Sequence, residues 1–123
     1  MSIFGIGVDL VEIARIEQSF ARFGERFRNR IFSSEEQDFC ELQKEKYLSY
    51  AARFASKEAF SKALGTGLRG KIAWKEIVVN DNEYSRPTLK IYGKAKDILQ
   101  NRKTHLSITH TDRYASAIVI VED

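Results

Sequence analysis

Apolar residues along the chain change period several times, and each change marks an element. Residues 3 to 10 are short, β-branched and glycine-bearing, which predicts a strand ending at Asp9, with Gly5 and Gly7 allowing close approach of a neighbouring backbone. From Val11 to Phe27 the apolar set Ile13, Ile16, Phe20 and Phe23 recurs at spacings of three and four, and Arg15, Arg22 and Arg26 fall on another face. That pattern predicts an amphipathic helix with a basic side, ending near Gly24. Ser33-Ser34-Glu35-Glu36-Gln37 carries an N-cap pattern, Gln37 following Ser34 by three, and opens a helix through Phe39 and Leu42 to about Lys46. A second helical stretch from Tyr47 to Leu64 carries Ala51, Ala52, Ala55, Ala59 and Ala63, and Gly65 supplies its stop.

Beyond Gly65 the residues favour strands. Ile72, Trp74, Ile77, Val78 and Val79, then Thr88 to Tyr92, predict a hairpin around the turn-rich stretch Asn80 to Pro87. Lys94 to Arg102 reads as a short helix. His105 to His110 and Tyr114 to Val121 alternate around Thr111-Asp112-Arg113, predicting a last antiparallel hairpin. The order of elements is α+β: one small domain over 1–123, with a mostly antiparallel sheet packed against a long central helix. The aromatics Phe20, Phe23, Phe54, Phe60 and Trp74 are expected in its core.

A chain of 123 residues supports a two-layer core but not a deep enclosed cleft, so a site shared between subunits is expected. Twenty Lys and Arg against 17 Asp and Glu give a net charge of +3, which favours anionic partners such as phosphorylated metabolites, acidic proteins or RNA. Cys40 is the sole cysteine, and no Cys-x-x-Cys or paired His/Cys motif is present to hold zinc, so a reduced, cytoplasmic setting is expected. The first residues lack a leader pattern and no apolar run reaches bilayer length, which predicts a soluble, unprocessed chain without a membrane partner.

Candidate chemistry centres on two carboxylates, Asp9 and Glu58, with cationic neighbours. Mg²⁺ is commonly held by one or two protein carboxylates, water and substrate phosphate completing the shell, so a sparse pair suits a magnesium-assisted reaction on a phosphate ester. Arg53, Lys57, Glu58 and Lys62 stand at spacings of four or five. Glu58 and Lys62 then share a face that Arg53 and Lys57 flank. Each feature also has a plain structural reading. Asp9 would be a turn former or helix cap, Glu58 and Lys62 a solvated ion pair, and Glu12 either a rival ligand or a complement to the helix dipole. His105, Ser107 and Thr109 share one strand face, with His110 opposite as a turn residue. Gly65-Thr66-Gly67-Leu68-Arg69-Gly70 is a phosphate cradle or a helix cap, and lacks the P-loop ending. Cys40 has no catalytic partner in view. The cluster Arg15, Arg22, Arg26, Arg28 and Arg30 is a docking surface for an acidic protein or a solvated face.

Three blocks together resemble the small bacterial type of 4′-phosphopantetheinyl transferase, the holo-[acyl-carrier-protein] synthases: Gly5-Ile6-Gly7-Val8-Asp9-Leu10-Val11-Glu12-Ile13, Arg53-Phe54-Ala55-Ser56-Lys57-Glu58-Ala59-Phe60-Ser61-Lys62-Ala63-Leu64-Gly65-Thr66-Gly67, and His105-Leu106-Ser107-Ile108-Thr109-His110. The resemblance spans essentially the whole chain. It implies transfer of the phosphopantetheine arm of coenzyme A to a serine of apo-acyl carrier protein. Mg²⁺ is required, adenosine 3′,5′-bisphosphate is released, and the reaction serves fatty acid biosynthesis. It further implies Asp9 and Glu58 as metal ligands and Lys62 at the coenzyme A phosphates. Arg53, Gly65, His105 and Thr109 become coenzyme A neighbours, and the helix with Arg15, Arg22 and Arg26 becomes the carrier-protein docking face. Homotrimers with sites between protomers are also implied. One departure is Ser85-Arg86-Pro87, where the family commonly has a Gly-Lys-Pro-like turn. The serine's proton acceptor is left among Glu58, a metal-bound water or hydroxide, and His105.

A non-enzymatic RNA-binding module is a rival that the basic balance allows, but the chain lacks the aromatic RNP strand, so no nucleic-acid partner is expected. A purely structural assembly subunit would leave the Glu58 and Lys62 arrangement without a role.

Overall fold

A computed structural model describes residues 2–68, 70–80 and 86–123. The elements are β1 (Ile3–Glu12), α1 (Ile13–Phe23), α2 (Glu25–Ile31), α3 (Ser34–Glu41), α4 (Lys46–Leu64), a 3₁₀ turn (Trp74–Glu76), β2 (Ile77–Asn80), β3 (Thr88–Ile91), α5 (Gly93–Leu99), β4 (Lys103–His110) and β5 (Tyr114–Glu122). Among the described residues, the strands form an antiparallel three-stranded sheet in the order β1-β5-β4 and a two-stranded β2-β3 pair. Among the described residues, no helix is long and apolar enough to cross a membrane.

Helix α4 is the spine, and alanine makes its contact with the sheet possible. Ala55, Ala59 and Ala63 recur every fourth residue on one face, are buried, and meet β1 where it carries Gly5 and Gly7. A Cβ on Gly7 would run into the Ala59 carbonyl oxygen, and one on Gly5 into that of Ala63. Backbone therefore rests directly on backbone. Two strand residues advance about 6.6 Å and four helix residues about 6 Å, so the glycine and alanine repeats stay matched as the strand runs antiparallel to the helix. The core continues through Val119, Val121 and Ala117 of β5 and the fully buried Phe60, Phe32 and Tyr50. Burial of a side chain such as Phe60 contributes about 2 to 3 kcal/mol.

Helix ends follow local chemistry. Gly24 at φ 57 closes α1, and Gly65 at φ 89 closes α4, conformations that favour glycine. The cap of α3 is Ser33, one residue before the expected Ser34. Its hydroxyl accepts the Glu36 N–H at 3.2 Å, and Glu36 Oε1 accepts the Ser33 N–H at 2.9 Å. Glu36 takes the box position in place of Gln37 because its carboxylate is buried against Lys57.

Several expectations need correction. β1 continues to Glu12, so Asp9 lies inside the strand opposite Ala117, neither ending the strand nor capping a helix. Glu12 is the residue before α1, without a side-chain cap bond. The segment after Gly24 forms a separate helix, α2, that the apolar spacing did not announce. Trp74 stands in a 3₁₀ turn, and Phe23 is 51% exposed, outside the core. The expected turn from Asn80 to Pro87 includes Asp81 to Ser85, with the Ser85 departure, and these lie outside the described residues.

Candidate active site

Odd positions of β1 face α4 and even positions face away. Asp9 follows Gly5 and Gly7 on the inner face, with its side chain 17% exposed, and is carried toward the middle of α4. Lys62 reaches back from the helix, its Nζ donating to Asp9 Oδ1 at 3.1 Å and to the Val8 carbonyl at 3.1 Å. Asp9 and Glu58 line one cavity of about 330 Å³ with Leu10, Val11, Arg15, Ile16, Ser19, Phe27 and Phe54. Two carboxylates, the Arg15 guanidinium and the adjacent Lys62 ammonium thus gather where β1, α1 and α4 meet. Glu12 is exposed and is not in this wall.

Two carboxylates at an open cavity fit a hard divalent cation that keeps water and substrate oxygens in its shell. They do not fit an all-protein cage: among the described residues no group of three or more His, Cys, Asp or Glu surrounds a possible ion. Cys40 is no nucleophile. It is fully buried, its Sγ 3.1 Å from Ser49 Oγ, and burial pushes the thiol up to about 11.

The other expected site residues lie elsewhere in the single chain. Arg53 is 2% exposed, over the Phe39 ring at 4.3 Å and donating to Ser49 Oγ at 3.2 Å. It lines a separate groove with Lys44, Ser49, Pro87 and His110. A further cavity adds Lys46, Tyr47, Thr111 and Asp112 while sharing Lys44, Leu48 and His110. His110, read from sequence as a turn residue, is therefore a groove wall. The spacing of Lys44 and Lys46 held no signal for their place beside it, since a short charged loop reads as solvated. His105 and Thr109 sit on the outer sheet face, opposite Ile120 and Ser116 of β5. The N–H groups of Gly65, Thr66 and Gly67 all turn back on the Ser61 carbonyl, the geometry of a helix cap, and Arg69 lies outside the described residues.

On the basic side, Arg15, Arg22, Arg26 and Arg30 are exposed, and Arg28 pairs with Glu25 at 3.3 Å. Arg26 and Arg30 border an aromatic cavity with Phe23, Phe27, Phe54 and Trp74, which shares Phe27 and Phe54 with the carboxylate cavity. Sequence reading assigned Phe27 and Phe54 no site role, because an aromatic at helical spacing looks like core until its exposed side is seen.

The outer sheet face is apolar where solvent meets it. Ile6, Val8 and Leu10 of β1 are 56, 57 and 65% exposed, and Ile118 of β5 adjoins them.

Comparison with known proteins identifies the class to which this small α+β domain belongs. Residues 5–119 match the model of the 4′-phosphopantetheinyl transferase superfamily, and the chain belongs to that family. It is an enzyme of the phosphopantetheinyl transferase kind, and its relatives carry a more particular name. Holo-[acyl-carrier-protein] synthase from Koribacter versatilis is 45% identical over 98% of this chain and 99% of its own length. Among solved structures, the holo-[acyl-carrier-protein] synthase of Neisseria meningitidis superposes with a TM-score of 0.91 at 30% identity, covering 99% of this chain and 100% of that one. The Bacillus anthracis enzyme in complex with CoA (3′,5′-ADP) does so with a TM-score of 0.83 at 32% identity over 98% and 97%.

Proposed function

We propose that this protein transfers the 4′-phosphopantetheine group of coenzyme A to a serine of an apo-acyl carrier protein. Adenosine 3′,5′-bisphosphate leaves, and the product serves fatty acid biosynthesis in the cytoplasm. The observation that carries the reading is the meeting of Asp9 and Glu58, from β1 and α4, in one cavity beside the Lys62 ammonium. Mg²⁺ is the metal these ligands suit, and when bound it supplies charge neutralisation at the diphosphate. Asp9 and Glu58 hold it, and Lys62 lies where it can offset charge on the phosphate oxygens. The serine oxygen forms a bond to the β-phosphorus as the bond to the bridging oxygen breaks, its proton passing to Glu58 or to water and the bridging oxygen leaving with adenosine 3′,5′-bisphosphate, a displacement in which positioning and electrostatics do most of the catalysis. The exposed Arg15, Arg22 and Arg26 form the docking face for the acidic carrier, Arg15 being also in the cavity wall.

The same reading includes a homotrimer. An apolar sheet face of Ile6, Val8, Leu10 and Ile118 is costly to leave in water, and a second copy would cover it. His105 and Thr109 lie on that face, remote in sequence and direction from the cavity, so they would serve coenzyme A bound to a neighbouring copy together with Arg53 and Gly65. The test is incubation with coenzyme A, Mg²⁺ and an apo-acyl carrier protein, read by mass spectrometry. Addition of the phosphopantetheine arm, lost on chelation of the metal, is expected; an unmodified carrier would overturn the reading.

A further inference from the structure

One charged pair in the molecule is fully buried and takes no part in the chemistry above. Lys57 Nζ lies 2.7 Å from Glu36 Oε1, 3.1 Å from the Trp74 carbonyl and 2.6 Å from the Ile77 carbonyl, so its three N–H donors each have an acceptor. Both side chains are 0% exposed. Glu36 is equally committed. Besides Lys57 and the Ser33 N–H, its Oε2 accepts the Val79 N–H at 2.9 Å. The pair therefore joins the start of α3, the middle of α4, the 3₁₀ turn and β2.

Two features tie this joint to the transfer site. Lys57 precedes Glu58, and successive helix residues are about 100° apart, so fixing the direction of one fixes the direction of the other. Trp74, whose carbonyl Lys57 holds, stacks on Phe54 with ring centroids 4.8 Å apart, and Phe54 is a wall of both the carboxylate cavity and the aromatic one. Burying two charges is not an efficient source of stability, since an apolar pair of similar size often serves as well. A role in placement accounts for the buried pair better.

We propose that Lys57 and Glu36 are positioning residues for phosphopantetheine transfer: their buried bond sets the rotation of α4 that turns Glu58 toward Asp9 and holds the Trp74–Phe54 wall beside it. This rests on the transfer reading above, and it names residues that touch neither substrate nor metal.

The test compares the parent protein, Lys57→Arg, and the double variant Lys57→Met with Glu36→Gln. In the double variant the glutamine amide oxygen can still accept from the Ser33 or the Val79 N–H, and neither member of the pair then carries a charge. Arginine keeps the charge but cannot aim three donors from one nitrogen. Trp74 is the single tryptophan, so its emission reports the wall directly. In both variants kcat should fall at least about tenfold, while KM for coenzyme A and for the carrier stays within about threefold. Both variants should remain folded at the assay temperature, and the Trp74 emission should shift. Parental kcat and emission, a loss confined to the melting temperature, or a loss wholly in KM would each overturn the proposal. Lys57→Arg decides the matter if the double variant does not fold. A parent without transfer activity would overturn the functional reading instead, leaving Trp74 emission to judge the placement.

Discussion

The Lys62 ammonium is docked on β1, 3.1 Å from Asp9 Oδ1 and 3.1 Å from the Val8 carbonyl oxygen, although 53 residues separate it from Asp9. The bond crosses from helix to strand at the rim of the cavity that Glu58 also lines.

Because the Lys62 side chain is 52% exposed, the ion pair with Asp9 contributes only about 0 to 1 kcal/mol. Asp9→Ala should therefore leave the unfolding free energy nearly unchanged, and both Asp9→Ala and Glu58→Ala should lower magnesium-dependent transfer by at least about a hundredfold. Denaturant titration and the carrier-modification assay check the two halves. Full turnover by both variants would remove the metal site.

Gly7 has no space for a side chain above the Ala59 carbonyl oxygen. Gly7→Ala should lift β1 from α4 and destabilise the fold by about 3 kcal/mol, with transfer falling because Asp9 moves with the strand. Equilibrium unfolding measures the first effect. A variant as stable as the parent would contradict direct backbone contact.

Charge reversal at Arg15 should raise the carrier KM more than the coenzyme A KM, and the effect should shrink as salt is added, since exposed charges are screened over about 10 Å at 0.1 M. Arg15→Glu at low salt is the informative measurement. An unchanged carrier KM would count against docking on that helix.

Val8→Lys places a charge in the centre of the exposed apolar sheet face. On the proposed trimer assembled through this face, sedimentation should report smaller species for Val8→Lys than for the parent, accompanied by loss of transfer. Asp9→Ala and His105→Ala chains, each weakly active, should regain activity when mixed as unfolded chains and refolded together if one site draws on two copies. No recovery in assembled mixtures would assign the site to one chain.

Burial raises the Cys40 thiol from 9.0 to about 11, so the native chain retains that proton where the unfolded chain gives it up. The resulting stability is fully present below pH 9.0 and is lost as pH rises to about 11, by at most about 3 kcal/mol. Burial and Glu41 also push the Tyr50 phenol upward, adding a loss of the same sign at still higher pH. Unfolding free energies across this range should fall less steeply for Cys40→Ala than for the parent. Equal slopes would show that the thiol does not titrate on unfolding.

Sequence by itself determined the elements whose causes are local. The 3.6-residue period and Gly65 marked α4, the two-residue alternation marked β4 and β5, and the three motif blocks pointed to Asp9, Glu58 and Lys62, which folding brings to one cavity and its rim. Tertiary structure buried Arg53 and Lys57 on α4, and only folding brings Glu36, 21 residues away, to neutralise Lys57. It also decided that Asp9 lies within β1, since β5 extends the ladder beyond the point where the apolar pattern fades. Arg53, His105 and Thr109 were separated from the carboxylates by the direction in which helix and sheet present them. Periodicity assigns a residue to a face, whereas its neighbours depend on contacts between segments distant in the chain.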